Sequence, residues 1–414
     1  MTHGFIENHA SNSGYTYSYF IPSSIGQNEK LPVIIFLDPH GKGNFPLEKY
    51  RGFADKFHFI IMGSNDSKNG MGFDQSTGIA NELKNESQTT LPGLPGQIFL
   101  AGFSGGAKAA IVAANTSDGF SGVIFCGAAF PPTNQPVKVP SIGFAGRKDM
   151  NYTEVRNFSA GTNNEATPSV LFEWNGKHEW PDSSVFADAF YWASFNRMRN
   201  GKAEKSQQLI DQYTNAQDKR LEKEKNILLK EMFLNEGIAL LRGLGNSEKY
   251  VSQLKAIKGK PEYAFSKNKE NKILEAEDIQ KKEIVDGFQT HDLAWWKNYT
   301  SKLSKAKENE SDQRLLAYVS LAAWSFSSKS IDGNDPFFAQ RALQIYKLAD
   351  PENAEQPFLQ ACLFAKNGNG DSALVYLKES VKMGNDDKNK IMNEKNLLSL
   401  HERSDFRELI SQLK

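Results

Sequence analysis

A chain of 414 residues, 39% of them hydrophobic, can bury the cores of two or three domains, and its 49 basic and 49 acidic residues cancel. No single-signed block stands out, so an electrostatic nucleic-acid surface is excluded and nucleic acid is not an expected partner. Cys126 and Cys362 lie far apart in apolar surroundings, with no C-x-x-C or Cys/His spacing, so they are expected as core packing residues and neither a metal nor a cofactor is called for.

The amino-terminal stretch MTHGFIENHASNSGYTYSYF has neither a basic n-region nor an apolar h-region and does not read as a secretory signal. No run of about eighteen apolar residues occurs, so no membrane-spanning helix is expected. As given, the chain reads as cytoplasmic; an exported protein trimmed of its signal would look the same.

Short apolar runs follow in order: YTYSYFIP, PVIIFLD, FHFIIMG, QIFLAG, GVIFCG, VPSIGFAG and PSVLFEW, alternating with helical stretches. This layout predicts an α/β fold, a mostly parallel sheet with helices on both faces. Near Gly201, after RMRNGKAEKSQQ, the strands stop and charged amphipathic patterns such as DKRLEKEKNILLKEMFLNEGIALLRGL take over. The expected organisation is a sheet domain over 1–200, a charged helical linker region over 201–310, and helical repeats over 311–414. The sheet domain is expected to fold when the chain is cut near Asn200.

The chemistry concentrates in QIFLAGFSGGAKAAIVAAN. Ile98 to Ala101 read as a buried strand and Ala107 to Ala114 as a helix, so Gly102-Phe103-Ser104-Gly105-Gly106 must reverse the chain between them. That is G-x-S-x-G in a strand-turn-helix setting, where a strained turn aims the serine hydroxyl outward. A serine nucleophile needs a base and an orienting carboxylate, all projecting from the carboxyl ends of strands. Asp149 follows SIGFAG, and His178 follows VLFEW, giving the order Ser104, Asp149, His178. Asp182 competes for the role of acid, but reads as the cap of the helix SSVFADAFYWASF.

Developing negative charge needs N–H donors. The turn His40-Gly41-Lys42-Gly43, which closes VIIFLDPHGKGNF, stands where a first donor is expected, from Gly41 or Lys42, with Gly105 as the second. A phosphate loop is excluded, because no G-x-x-x-x-G-K-[ST] occurs. In SNDSKNGMGFDQST, Met71 and Phe73 are candidate acyl contacts.

Taken together, YTYSYFIPSS, LPVIIFLDPHGKG, GFSGGAKAA, GFAGRKDMNY and NGKHEWPD make residues 14 to 198 resemble the lidless α/β-hydrolases of the dienelactone hydrolase and polyhydroxybutyrate depolymerase-like esterase groups. The resemblance implies Ser104 as nucleophile, His178 as base, Asp149 as acid, and Gly41 or Lys42 with Gly105 at the oxyanion. The first loop departs from it, reading DPHGKG in place of a plain histidine-glycine-glycine run.

The tail resembles tetratricopeptide repeats. QPFLQACLFAKNGNGDSALVYLKESVKMG carries Ala361, Phe364, Ala373 and Leu377 at the small and large positions, and QRALQIYKLADPENA carries Ala342, Tyr346, Ala349 and Pro351. Any helical hairpin would use small residues in the same way. Two function classes follow. One is a serine hydrolase on a small-molecule or polymer-attached carboxylic ester, with the tail binding a protein partner, self-associating or walling the site. The other is a non-enzymatic scaffold worked by the helical repeats. A serine peptidase on the same three residues is a variant of the first.

Overall fold

The structure, a computed structural model, describes residues 4–131 and 137–413. The chain divides into two compact units, Met1–Asn271 and Lys272–Lys414.

The first unit is built on a sheet that has eight strands among the described residues, in the order β1-β2-β4-β3-β5-β6-β7-β8. The strands are β1 (Gly4–Ala10), β2 (Thr16–Ile21), β3 (Leu31–Leu37), β4 (Ile60–Ser64), β5 (Gly93–Phe103), β6 (Phe120–Cys126), β7 (Ser141–Gly146) and β8 (Ser169–Trp174). β2 pairs antiparallel with both β1 and β4, and every pairing from β4 to β8 is parallel. The α/β class expected from the sequence is observed. Parallel strands covered on both faces read as unbroken apolar runs, and β3, LPVIIFL, is buried at every position. β1 escaped the sequence reading because GFIENHA is an edge strand with little buried surface and no apolar run.

Side chains alternate between the two faces. Ile34, Phe36, Phe99, Ala101, Ile124, Ile142 and Phe144 point to the face covered by α1 (Asn44–Phe57) and α5 (Ser183–Arg199). The other face takes α2 (Phe73–Thr89), α3 (Gly105–Thr116) and α4 (Tyr152–Thr162), with Phe125 meeting Phe158 of α4 edge-on at 5.3 Å.

The division of the chain departs from the expected boundary near Gly201. Helices α6 (Gln207–Lys223), α7 (Ile227–Leu241) and α8 (Glu248–Lys258) belong to the first unit, so the linker region expected over 201–310 is shared between the two units. Ile210, Tyr213, Leu221, Leu234, Leu240, Leu241 and Tyr250 join the same core as the sheet. Tyr213 lies 5.2 Å from the Tyr191 ring and 5.7 Å from that of Phe195 on α5. The reason is visible in α5, whose FADAFYWASFN run is buried all round. A helix without a polar face must be covered on its far side as well.

The division falls within α9 (Pro261–Thr290). In the second unit, α11 (Glu310–Asp332) packs on α12 (Pro336–Ala349), and α13 (Glu355–Lys366) on α14 (Gly370–Lys382). Ala342, Tyr346, Ala349, Ala361, Ala373 and Leu377 are buried between these helices, while Phe364 stacks on Tyr376 at 5.4 Å.

Candidate active site

β5 ends at Phe103 and α3 begins at Gly105, so Ser104 alone makes the turn. Its φ of 51° and ψ of −122° are strained for a residue with a side chain. Two flanking glycines make the turn possible. A Cβ on Gly102 would meet the Gly106 carbonyl oxygen at 2.1 Å, and one on Gly106 would meet that of Leu37 at 2.0 Å. The strand and helix therefore touch backbone to backbone, and the hydroxyl is left outside.

Asp149 lies in the loop after β7, and His178 in the loop after β8. His178 Nε2 stands 2.9 Å from Ser104 Oγ, and its Nδ1 stands 2.9 Å from Asp149 Oδ2 and 3.0 Å from Oδ1. Asp149 is buried to 1% exposure, and its Oδ1 accepts the Asn151 N–H at 2.8 Å. That bond, with Asn151 Nδ2 donating to the Gly127 carbonyl at 2.9 Å, fixes the carboxylate. The His178 ring packs against Phe103 at 4.7 Å, so Nε2 has one direction to face. Asp182, the competing acid, is exposed at the start of α5.

The loop after β3 differs from the expectation. The Gly41 N–H donates to the Asp38 carbonyl at 3.2 Å and the Lys42 N–H to Asp38 Oδ1 at 3.4 Å, so both groups expected at the oxyanion are turned inward. The His40 N–H also donates to Asp38 Oδ1, at 2.9 Å, and Trp180 Nε1 donates to Oδ2 at 2.9 Å. Burial alone would raise the Asp38 pKa, but the bonds from His40 and Trp180 hold it below the ordinary carboxylate value. Asp38 thereby ties the loop after β3 to the segment carrying His178. Sequence reasoning missed this residue; the available signal was a carboxylate ending a wholly apolar strand, which must find donors when buried.

Gly105 opens α3, where the first N–H groups have no intrahelical acceptor. Beside it lies a cavity of about 160 Å³, lined by Met71, Phe73, Asn69, Lys68, Gly106 and Lys108 among others. Met71 and Phe73, singled out from the sequence, are thus brought to one wall next to Gly105. Phe73 meets Phe130 edge-on at 5.8 Å across that wall. Among the described residues no cluster of His, Cys, Asp and Glu is arranged to hold a metal ion, and Cys126 and Cys362 are buried free thiols. Among the described residues no helix is long and apolar enough to cross a membrane.

Neither a known family model nor a curated protein sequence matches the chain. Among solved structures it is similar to a hyperthermophilic esterase from the archaeon Pyrobaculum calidifontis, at 11% identity and a TM-score of 0.38, over 48% of this chain and 85% of that one. It is similar to a fungal esterase structure from Rhizomucor miehei, at 11% identity and a TM-score of 0.38, over 48% and 84% of the two chains. A third is a thermophilic esterase from the planctomycete Thermogutta terrifontis, at 11% identity and a TM-score of 0.38, over 47% and 92%. By its own strand order, parallel core and flanking helices, the first unit has the fold class of the α/β-hydrolases, followed in the chain by an all-helical region.

Proposed function

We propose that the protein is a serine hydrolase that cleaves a carboxylic ester through Ser104, His178 and Asp149. The observation that carries this reading is the continuous line from Ser104 Oγ to His178 Nε2, 2.9 Å, and from His178 Nδ1 to Asp149 Oδ2, 2.9 Å. A hydroxyl, an imidazole and a buried carboxylate in that order can move a proton off the attacking oxygen and hold the resulting imidazolium. Ser104 attacks the acyl carbon while His178 takes its proton. The Gly105 N–H faces the developing oxyanion. His178 then delivers the proton to the leaving alcohol, and water, activated by the same imidazole, releases the acyl group from Ser104.

Met71 and Phe73 give the neighbouring cavity an apolar wall, and its size of about 160 Å³ suits a short acyl chain. Hydrolysis of p-nitrophenyl esters of rising chain length tests this. Turnover should favour short chains and disappear in Ser104→Ala; Ser104-independent turnover would refute the reading. The paired helices of the second unit, tetratricopeptide-like in their small-residue packing, are assigned a partner-binding role. Removing Lys272–Lys414 should then leave ester turnover intact, and lost turnover would contradict that role.

A further inference from the structure

An acyl-transfer site of this kind works best with two donors at the oxyanion. The Gly105 N–H supplies one, and the loop after β3, which was expected to supply the other, does not. Pro39 has no N–H, and those of His40, Gly41 and Lys42 all end on Asp38.

The loop after β4 brings a different group to the same place. Asn69 donates its backbone N–H to the Pro39 carbonyl at 2.8 Å, next to a bridge between His40 and Lys68, so its position is set by the loop that Asp38 organises. Gly70 follows with a φ of 87° and the Met71 N–H closes the turn on the Lys68 carbonyl at 3.3 Å. This turn lays the Asn69 carboxamide directly on Gly105. Its Oδ1 lies 1.8 Å, and its Nδ2 3.6 Å, from the point where a Cβ on Gly105 would stand. The absence of a side chain on Gly105 thus leaves room for the Asn69 carboxamide, whereas Gly102 and Gly106 are required by contacts with backbone. Among the described residues no hydrogen bond engages the Asn69 carboxamide. Asn69 is exposed and lines the cavity beside Gly105, so its carboxamide is free to turn toward a bound acyl group.

We infer that the side-chain amide of Asn69 is the second oxyanion donor, acting beside the Gly105 N–H in place of a backbone group from the loop after β3. This rests on the serine-hydrolase reading. Rotation about the last side-chain bond exchanges Oδ1 and Nδ2, which sets the amino group against Gly105, next to Ser104, without movement of the backbone. Because the group is a donor to negative charge, its effect appears in the transition state and not in ground-state binding.

The test compares the full chain with Asn69→Ala and Asn69→Asp on p-nitrophenyl butyrate. It also measures inhibition by a trifluoromethyl ketone, whose hemiketal on Ser104 carries the oxyanion. Asn69→Ala should lower kcat by roughly 10²- to 10³-fold while KM stays within about threefold, and should weaken the ketone by a comparable factor. Asn69→Asp should be slower still, since a carboxylate repels the oxyanion. An Asn69→Ala enzyme with wild-type kcat would overturn the inference and leave the hydrolase reading standing. So would a loss of activity seen in KM and thermal stability with ketone affinity unchanged, the mark of a merely structural role. A wild-type chain without Ser104-dependent turnover would overturn both.

Discussion

Asp149→Asn is the substitution that the geometry constrains most tightly. The carboxylate is buried, and its two oxygens lie 3.0 and 2.9 Å from His178 Nδ1. Oδ1 also accepts the Asn151 N–H at 2.8 Å. In the amide variant the remaining carbonyl oxygen must stay on the Asn151 side, because an amino group there would meet an N–H head-on. The new amino group then sits 2.9 Å from Nδ1. As a donor it opposes an Nδ1 proton and competes with the oxygen left 3.0 Å from Nδ1, which favours the tautomer with the proton on Nε2, facing Ser104. In that tautomer His178 cannot take the serine proton, and the imidazolium has lost its counter-charge. The expected loss is about 10⁴-fold in kcat, or about 5.5 kcal/mol of barrier, with KM little changed. Steady-state kinetics on a p-nitrophenyl ester measures it, and circular dichroism checks that the fold persists. A loss below about tenfold, or a comparable loss in Asp182→Asn, would refute the assignment of the acid.

A chain ending at Asn271 should be soluble and unfold cooperatively, whereas one ending near Asn200 should aggregate or bind a hydrophobic dye, because it uncovers Tyr191 and Phe195 where Tyr213 packs. A well-folded 1–200 chain would refute the assignment of α6 to α8 to the sheet core. Arg220 lies 3.3 Å from both Asp188 and Glu236, and burial raises the Asp188 pKa to about 6, against the pull of Arg220, and pushes Glu236 well above its ordinary value. The folded state thus holds a proton at Asp188 that the unfolded state releases. Its contribution should fall as pH rises from about 4 to about 6, by on the order of 3 kcal/mol. Urea unfolding of the wild type and Asp188→Asn across that range should show the difference closing in favour of the variant as pH rises; parallel curves would contradict it.

The elbow was legible because its requirements are local. A strand, a turn with room for no Cβ at Gly102 or Gly106, and a helix leave few alternatives for Ser104. The three-residue order was legible because strand carboxyl ends lie on one edge of a parallel sheet, so loop position stands in for distance. The cover of the sheet was harder. An amphipathic stripe on α6 or α7 says that something is packed against it, and not what, although the unbroken apolarity of FYWASF in α5 announced a second layer. Asp38 left a signal, a carboxylate at the end of an apolar strand, but its partner Trp180 lies 142 residues away. Asn69 was out of reach for another reason: its place depends on where two loops cross, and a crossing of loops leaves no periodicity in the chain.

The nucleophilicity of the Ser104 oxygen is best tested by covalent capture. The full-length protein is treated with a fluorophosphonate, digested, and the adduct located by mass spectrometry, with Ser104→Ala and His178→Ala treated in parallel. A single adduct is expected on the peptide carrying Ser104, absent in the first variant and slowed by several orders of magnitude in the second. An adduct on another residue, or an intact protein that never reacts while remaining folded, would contradict it.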